Sequence, residues 1–260
     1  MVQRYRVDVT GNAGRGTVSG KASFDLAGAN GFGIDLTLDA KQASLIARDD
    51  FAATVTGPLR IVSNGPDGRI SGNVVLDRGA FRLGQATAAA QVPTLRVREI
   101  NRPFGTPRVR AAPTFWALDV KARADSQLAV TGLGLDSEWR ADLQIGGSLD
   151  APRILGRAEV VRGGYEFAGK RFELTRGVIR FQGAFPPDPV LDIVATSNIQ
   201  SLNSTVSVTG TGQKPVIAFT SVPALPQDEL LSRLLFGTSI TNLSAPEALQ
   251  LASAVASLRG

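Results

Sequence analysis

Apolar and polar residues alternate singly along most of this chain, as far as Pro223, and that period of two constrains the fold more than any other feature. A period of two puts successive side chains on opposite faces of a strand, whereas a helix needs apolar residues three or four apart. The pattern is densest over residues 162–192, where Phe172 and Leu174 alternate with Glu173 and Thr175, and Ile179 and Phe181 with Arg180 and Gln182. Gly163-Gly164 stands before the first run, Gly177 separates two runs, and residues 183–189 close the last. Glycines in such places are the residues that tight turns need. The expectation is a succession of short antiparallel strands.

The same texture begins with Val7 and Val9 and continues through residues 17–26. Ile34, Leu36 and Leu38 form one apolar row opposite Gly33, Asp35, Thr37 and Asp39. Residues 43–46, 51–55 and 59–62 read as further short strands, with Gly57-Pro58 as punctuation between the last two. Residues 64–68, Asn-Gly-Pro-Asp-Gly, are a strong turn signal, and 70–76 and 80–83 follow as strands. Residues 86–110 differ, with Pro93, Pro103, Pro107 and several arginines, and read as a longer crossover with one strand over 95–100. Alternation then returns at Phe115 and runs on through Leu143 and Ile145 to residues 190–196, 204–209 and 216–220.

Residues 53–83 resemble residues 141–167: Ile70 matches Ile154, Gly72 matches Gly156, Arg78-Gly79 matches Arg162-Gly163, and Phe81 matches Tyr165. The expected organisation is a β portion over residues 1–222 made of two similar multistrand units, about 5–85 and 115–222, followed by a helical segment over 223–260. In that last segment Leu230, Leu231, Leu234 and Leu235 fall at helical spacing. Asp228 and Glu229 suit the first turn of a helix, and Gly237 suits its stop. Ser244 and Glu247 have the spacing of a capping box for a second helix.

The side-chain inventory narrows the function. There is no Cys and no His, which removes thiolate nucleophiles, His-containing triads and His-ligated zinc, and the expectation is a protein that is not an enzyme and holds no metal. The glycine-rich pieces join strands and never lead into a helix, so no dinucleotide or other cofactor is expected. The net charge of +5 is spread without any run of five basic residues, and aromatics make up only 6%, so nucleic acid is not an expected partner. The first residues, MVQRYRVDVTG, lack the apolar core of a signal peptide and read as an internal cut.

A half-buried antiparallel sheet needs its apolar side covered. The alternation allows a closed barrel or sandwich with an ordinary core, or an open trough that leaves room for apolar ligands. The leucine-rich C-terminal segment likewise allows two roles: a cap on the sheet, or a docking element for a partner formed by Leu230, Leu231, Leu234, Leu235 and Phe236.

The order RGGYEF, RGVIRFQG, PDPVLDI and DELLSRLLFG, most specific over residues 149–237, resembles the C-terminal region of the TamB family within the AsmA-like superfamily. The resemblance implies an all-β, mostly antiparallel, elongated sheet folded into a β-taco trough with an apolar interior, plus short C-terminal helices. It implies a periplasmic protein, anchored in the inner membrane when full-length, that carries phospholipid acyl chains toward the outer membrane. It also implies a TamA-type outer-membrane barrel as partner and a part in outer-membrane protein assembly. Candidate groove residues are Ile34, Leu36, Leu38, Leu143 and Ile145 in the first part of the chain, and Ile193, Val206, Val208, Ile217 and Phe219 in the second. The alternative is a scaffold or assembly chaperone that docks a barrel without carrying lipid.

Overall fold

The computed structural model describes residues 4–25, 33–83, 115–199 and 202–259. The first five strands are β1 (Arg4–Ala13), β2 (Gly16–Asp25), β3 (Gly33–Ala47), β4 (Phe51–Ser63) and β5 (Gly68–Arg82). The next four are β6 (Trp116–Gly132), β7 (Leu135–Gly147), β8 (Pro152–Phe167) and β9 (Lys170–Gln182). The last three are β10 (Val190–Ile199), β11 (Leu202–Thr211) and β12 (Pro215–Val222). Two helices follow, α1 (Gln227–Phe236) and α2 (Ala245–Arg259), with a single 3-10 turn (Ile240–Asn242) between them. The twelve strands among the described residues lie in one open sheet in their order along the chain. Neighbours are antiparallel except β5 and β6, which are parallel. The crossover and strand expected over residues 86–110 fall outside the described residues; a crossover is what a parallel pair requires.

The strands are longer than the apolar runs suggested. Residues 43–46 belong to β3, the runs 51–55 and 59–62 form the single strand β4 across Gly57-Pro58, and 70–76 and 80–83 are both in β5. Gly163-Gly164 lies within β8 and Gly177 within β9. β-Bulges, in which an extra residue bends the strand without ending it, separate the runs in β3 and β5, while Gly57, Gly163 and Gly177 keep regular partners in Ala40, Ser137 and Ile193. Register shifts occur between Ala40 and Ala43, Thr54 and Val55, Ala124 and Leu128, Glu138 and Trp139, and Val194 and Ala195. By pairing these sites are neighbours, so they form one line across the sheet at mid-strand. Along such a line each strand bends and its twist increases.

The bulges free backbone donors, and side chains on the next strand take them up. Gln42, at φ 49°, donates its N–H to Thr56 Oγ1 at 2.9 Å, and that hydroxyl donates to Asp77 at 2.7 Å. Gln127, at φ 68°, donates its N–H to Glu138 Oε1 at 3.0 Å, while Arg162 Nε holds the other carboxylate oxygen at 2.6 Å. The Gln127 N–H first, and then Arg162, hold the Glu138 carboxyl below its ordinary range. A depressed folded-state pKa gives stability that is present above the unfolded value and is lost as pH falls through the folded one. The thermal midpoint of the parent should therefore exceed that of Glu138→Gln at neutral pH, with the gap closing below about pH 4. A gap that persists unchanged in acid would show that charge at Glu138 is irrelevant.

Glycine serves close packing at Gly177. A Cβ there would lie 2.9 Å from Trp139 Cη2 and 2.9 Å from Val160 Cβ, so the indole crosses the backbone of β9. This explains how Gly177 can interrupt the apolar pattern without ending the strand. Trp139 is 1% exposed and donates its indole N–H to Ser137 Oγ at 2.8 Å. With Ala124, Ala141 and Ala158 it forms a small core built from strand residues.

Candidate apolar trough

Register decides which side chains share a face. Ile34, Leu36 and Leu38 in β3 pair with Ser63, Ile61 and Leu59 in β4. Ile61 pairs with Ile70 in β5, which pairs with Leu118 in β6. Val120 in β6 pairs with Ile145, and Ile145 with Ile154 in β8. Leu143 pairs with Ala122 on one side and Gly156 on the other. In the last strands Ile193 pairs with Val208 and Val208 with Ile217, while Ala195 pairs with Val206 and Val206 with Phe219. All ten candidate groove residues therefore project from one face. Rows of aliphatic side chains continue across every pair from β1, where Val7 faces Ala22, to β12.

The opposite face carries the charged side chains, interspersed with Val62, Leu155 and Val178, and is tied together by cross-strand ion pairs. Arg60 bonds Asp35 through both carboxylate oxygens, at 3.0 and 2.8 Å. Arg140 Nε reaches Glu159 at 2.8 Å, and Arg176 reaches Asp192 at 2.9 Å. Arg140 holds the Glu159 carboxyl below its ordinary range. Exposed pairs of this kind contribute little stability, about 0–1 kcal/mol each. Their larger effect is on register, because a slip of one residue would turn arginines and aspartates onto the apolar face.

Among the described residues the apolar face is only partly covered. Ile34, Leu36, Leu38, Leu143, Ile145, Ile193 and Val208 are half-buried, and Ile217 is exposed. The face closes at two places: in the middle of the sheet, where Leu143 and Ile193 pack against the Trp139 core, and at the last strands. There Phe172, Ala195, Leu202, Val206 and Phe219 form a core with Leu230, Leu231 and Leu234 of α1 and Leu251 of α2. Of the docking candidates, Leu230, Leu231 and Leu234 are thus buried against the sheet, and Leu235 and Phe236 pack partly buried at the margin. Val206 and Phe219 lie in this covered core, and the other eight groove candidates lie outside it.

Local signals in the sequence place the helices. Asp228 and Glu229 occupy the first turn of α1, and Gly237 ends it at φ 74° with its N–H on the Arg233 carbonyl. Glu229 ties α1 to the 3-10 turn by accepting the Ile240 N–H at 2.9 Å and the Ser239 hydroxyl at 3.1 Å. The Ile240 N–H first, and then Arg233, lower its pKa. Glu247 accepts both the N–H and the hydroxyl of Ser244, at 2.8 and 2.6 Å, at the start of α2.

Sequence reasoning missed several members of the face. Leu59, Ile61, Ile70, Leu118, Val120 and Ile154 extend it, and each is half-buried. Alternation made each of them eligible, and the pairing register places them beside Leu36, Leu38 and Ile145. Trp139 carried no distinguishing local signal, because its burial depends on Gly177 two strands away.

Among the described residues no group of His, Cys, Asp or Glu is placed to hold a metal ion. No helix among them is long and apolar enough to cross a membrane. Compared with known families, the chain matches the model of the TamB C-terminal domain over residues 5–260.

Proposed function

The chain belongs to the TamB C-terminal domain family, and on that premise we propose that its open apolar face is a conduit for phospholipid acyl chains moving between the membranes of a Gram-negative envelope. The observation that supports this reading is the run of half-buried aliphatic side chains from β3 to β8, among them Leu36, Ile61, Ile70, Leu118, Ile145 and Ile154. Strands about 4.8 Å apart give twelve of them a run of roughly 50 Å, longer than one extended acyl chain. Each methylene moved out of water onto that surface contributes about 0.8 kcal/mol without needing a specific site. In this reading the chain works in the periplasm, the full-length protein is anchored in the inner membrane, and the C-terminal end lies near the outer membrane. The groove is lined by the ten named residues, from Ile34 to Phe219, and needs no cofactor.

The trough in this reading consists of two similar units. The hairpin β4–β5 pairs Ile61 with Ile70 and Leu59 with Gly72, and β7–β8 pairs Ile145 with Ile154 and Leu143 with Gly156. Each hairpin has its bulge at the matching place, and Gln42 and Gln127 both have positive φ and donate to a side chain of the following strand, Thr56 and Glu138 respectively. These matches favour a duplicated unit over chance similarity.

The test is native mass spectrometry of the purified chain. Phospholipid should remain bound, and mild delipidation followed by exposure to vesicles should restore it. Protein that emerges lipid-free and stays so would remove the reading.

A second reading, docking of a TamA-type barrel, draws on β12. This last strand has β11 on one side only, and its Val216 and Val222 are 60% and 68% exposed. A strand edge of this kind is a template for strand addition. Deleting residues 228–260 should change capture of a TamA-type barrel while the section from β3 to β8 retains lipid. Lipid and barrel binding lost together in that deletion would argue against separate roles.

A further inference from the structure

The apolar face is covered at its end by a segment of the same chain. Leu230, Leu231 and Leu234 of α1 cover Phe172, Val206 and Phe219, and these floor residues continue the same rows that carry Ile193 and Val208. The helix therefore rests on the kind of surface that an aliphatic chain would use. Resting on the trough reading above, we propose that α1 is an internal competitor for the end of the trough, a displaceable plug over a covered binding section for aliphatic chains floored by Phe172, Ala195, Val206 and Phe219.

Three observations carry this. First, the covered section carries aliphatic and aromatic side chains as the open one does, beside a row of three hydroxyls, Ser197, Ser204 and Ser221. Second, the closed state leaves polar groups unsatisfied on both sides. Ser204 Oγ, between Leu202 and Val206 in the floor, and Asp228 Oδ1, in the first turn of α1, are buried without a hydrogen-bond partner. Burial of such an atom opposes closure, and lifting the helix returns Ser204 to water, while Asp228 faces α2. Third, the connection is short and bounded by proline. Only residues 223–226 join β12 to α1, with Pro223 and Pro226 at the two ends, and the Ser221 hydroxyl holds the Pro223 carbonyl at 2.9 Å. The helix can leave the floor while β12 stays paired with β11.

The experiment uses the whole chain and oleic acid as probe, with bound stoichiometry from native mass spectrometry and amide hydrogen exchange on the same sample. Saturating oleic acid should speed exchange of the Leu230, Leu231 and Leu234 amides about tenfold or more, while amides of β4 and β7 keep their rates. Ser204→Ala removes the orphaned hydroxyl, so it should slow α1 exchange about fivefold in the ligand-free protein and lower the oleic acid bound. This variant favours the closed state, so a folding defect does not obscure the result. Oleic acid bound with α1 exchange unchanged overturns the plug and leaves the trough standing. No oleic acid bound at all overturns both. Unchanged or faster α1 exchange in Ser204→Ala also overturns the plug.

Discussion

Aspartate at both Leu36 and Ile145 will strip the protein of bound phospholipid while leaving the sheet folded. The two residues lie in β3 and β7, on the same face and outside the covered core. A lipid tail passing along the trough must cross both rows. Each substitution removes apolar contact and puts a carboxylate where an acyl chain offers it no hydrogen bond, and burying that charge against hydrocarbon is strongly unfavourable. The expected loss of lipid retained, read by native mass spectrometry, is at least about tenfold, equivalent to about 1.4 kcal/mol. Both sites are half-buried, so the expected destabilisation is only about 1–3 kcal/mol each. The control is a matched pair on the other face. Thr37 and Gln144 are exposed neighbours in the same strands and point away from the trough. Thr37→Asp with Gln144→Asp adds the same charge and should leave lipid retention unchanged. Equal retention by the two double variants would remove the trough as the lipid site.

The largest loss of stability is expected from Trp139→Ala. The indole is almost wholly buried, crosses Gly177, and packs with Ala124, Ala141 and Ala158. Leu76, Leu128, Val160 and Ile179 also pack against this cluster, and all lose contact when the ring is removed, so both transfer and cavity terms apply. Removal of a buried Trp should cost about 3–5 kcal/mol, which for a chain of this size lowers the thermal midpoint by on the order of 10 °C. The Ser137 hydroxyl also loses its donor, although it keeps the Val130 carbonyl as acceptor at 3.0 Å. Gly177→Val should destabilise as well, because its Cβ would already sit 2.9 Å from the ring. Circular dichroism melts of the two variants provide the check. A shift below about 3 °C for Trp139→Ala would mean that the centre of the sheet does not depend on that ring.

Much of this molecule was legible locally. The alternation of Ile34, Leu36 and Leu38 with Asp35 and Thr37 gave strand, face and polarity together, because a pleated backbone sorts neighbours to opposite sides whatever lies beyond it. Asp228, Glu229 and Gly237 marked the ends of α1, because helix ends depend on groups within one turn. Other features were read less well. Gly57, Gly163 and Gly177 looked like boundaries yet lie inside strands. A glycine that makes a turn and one that admits a bulge or a crossing indole read alike in sequence.

The sequence by itself determined the all-β class, the two-sided character of its strands and the helical end, since these follow from steric and hydrogen-bonding preferences over a few residues. Only the tertiary structure decided that β5 and β6 run parallel, that the bulges align across the sheet, that Trp139 builds a core in the middle of the apolar face, and that α1 covers its end. Those outcomes depend on contacts between residues far apart in the chain. No local pattern states which distant surface will cover an apolar face, or whether any will.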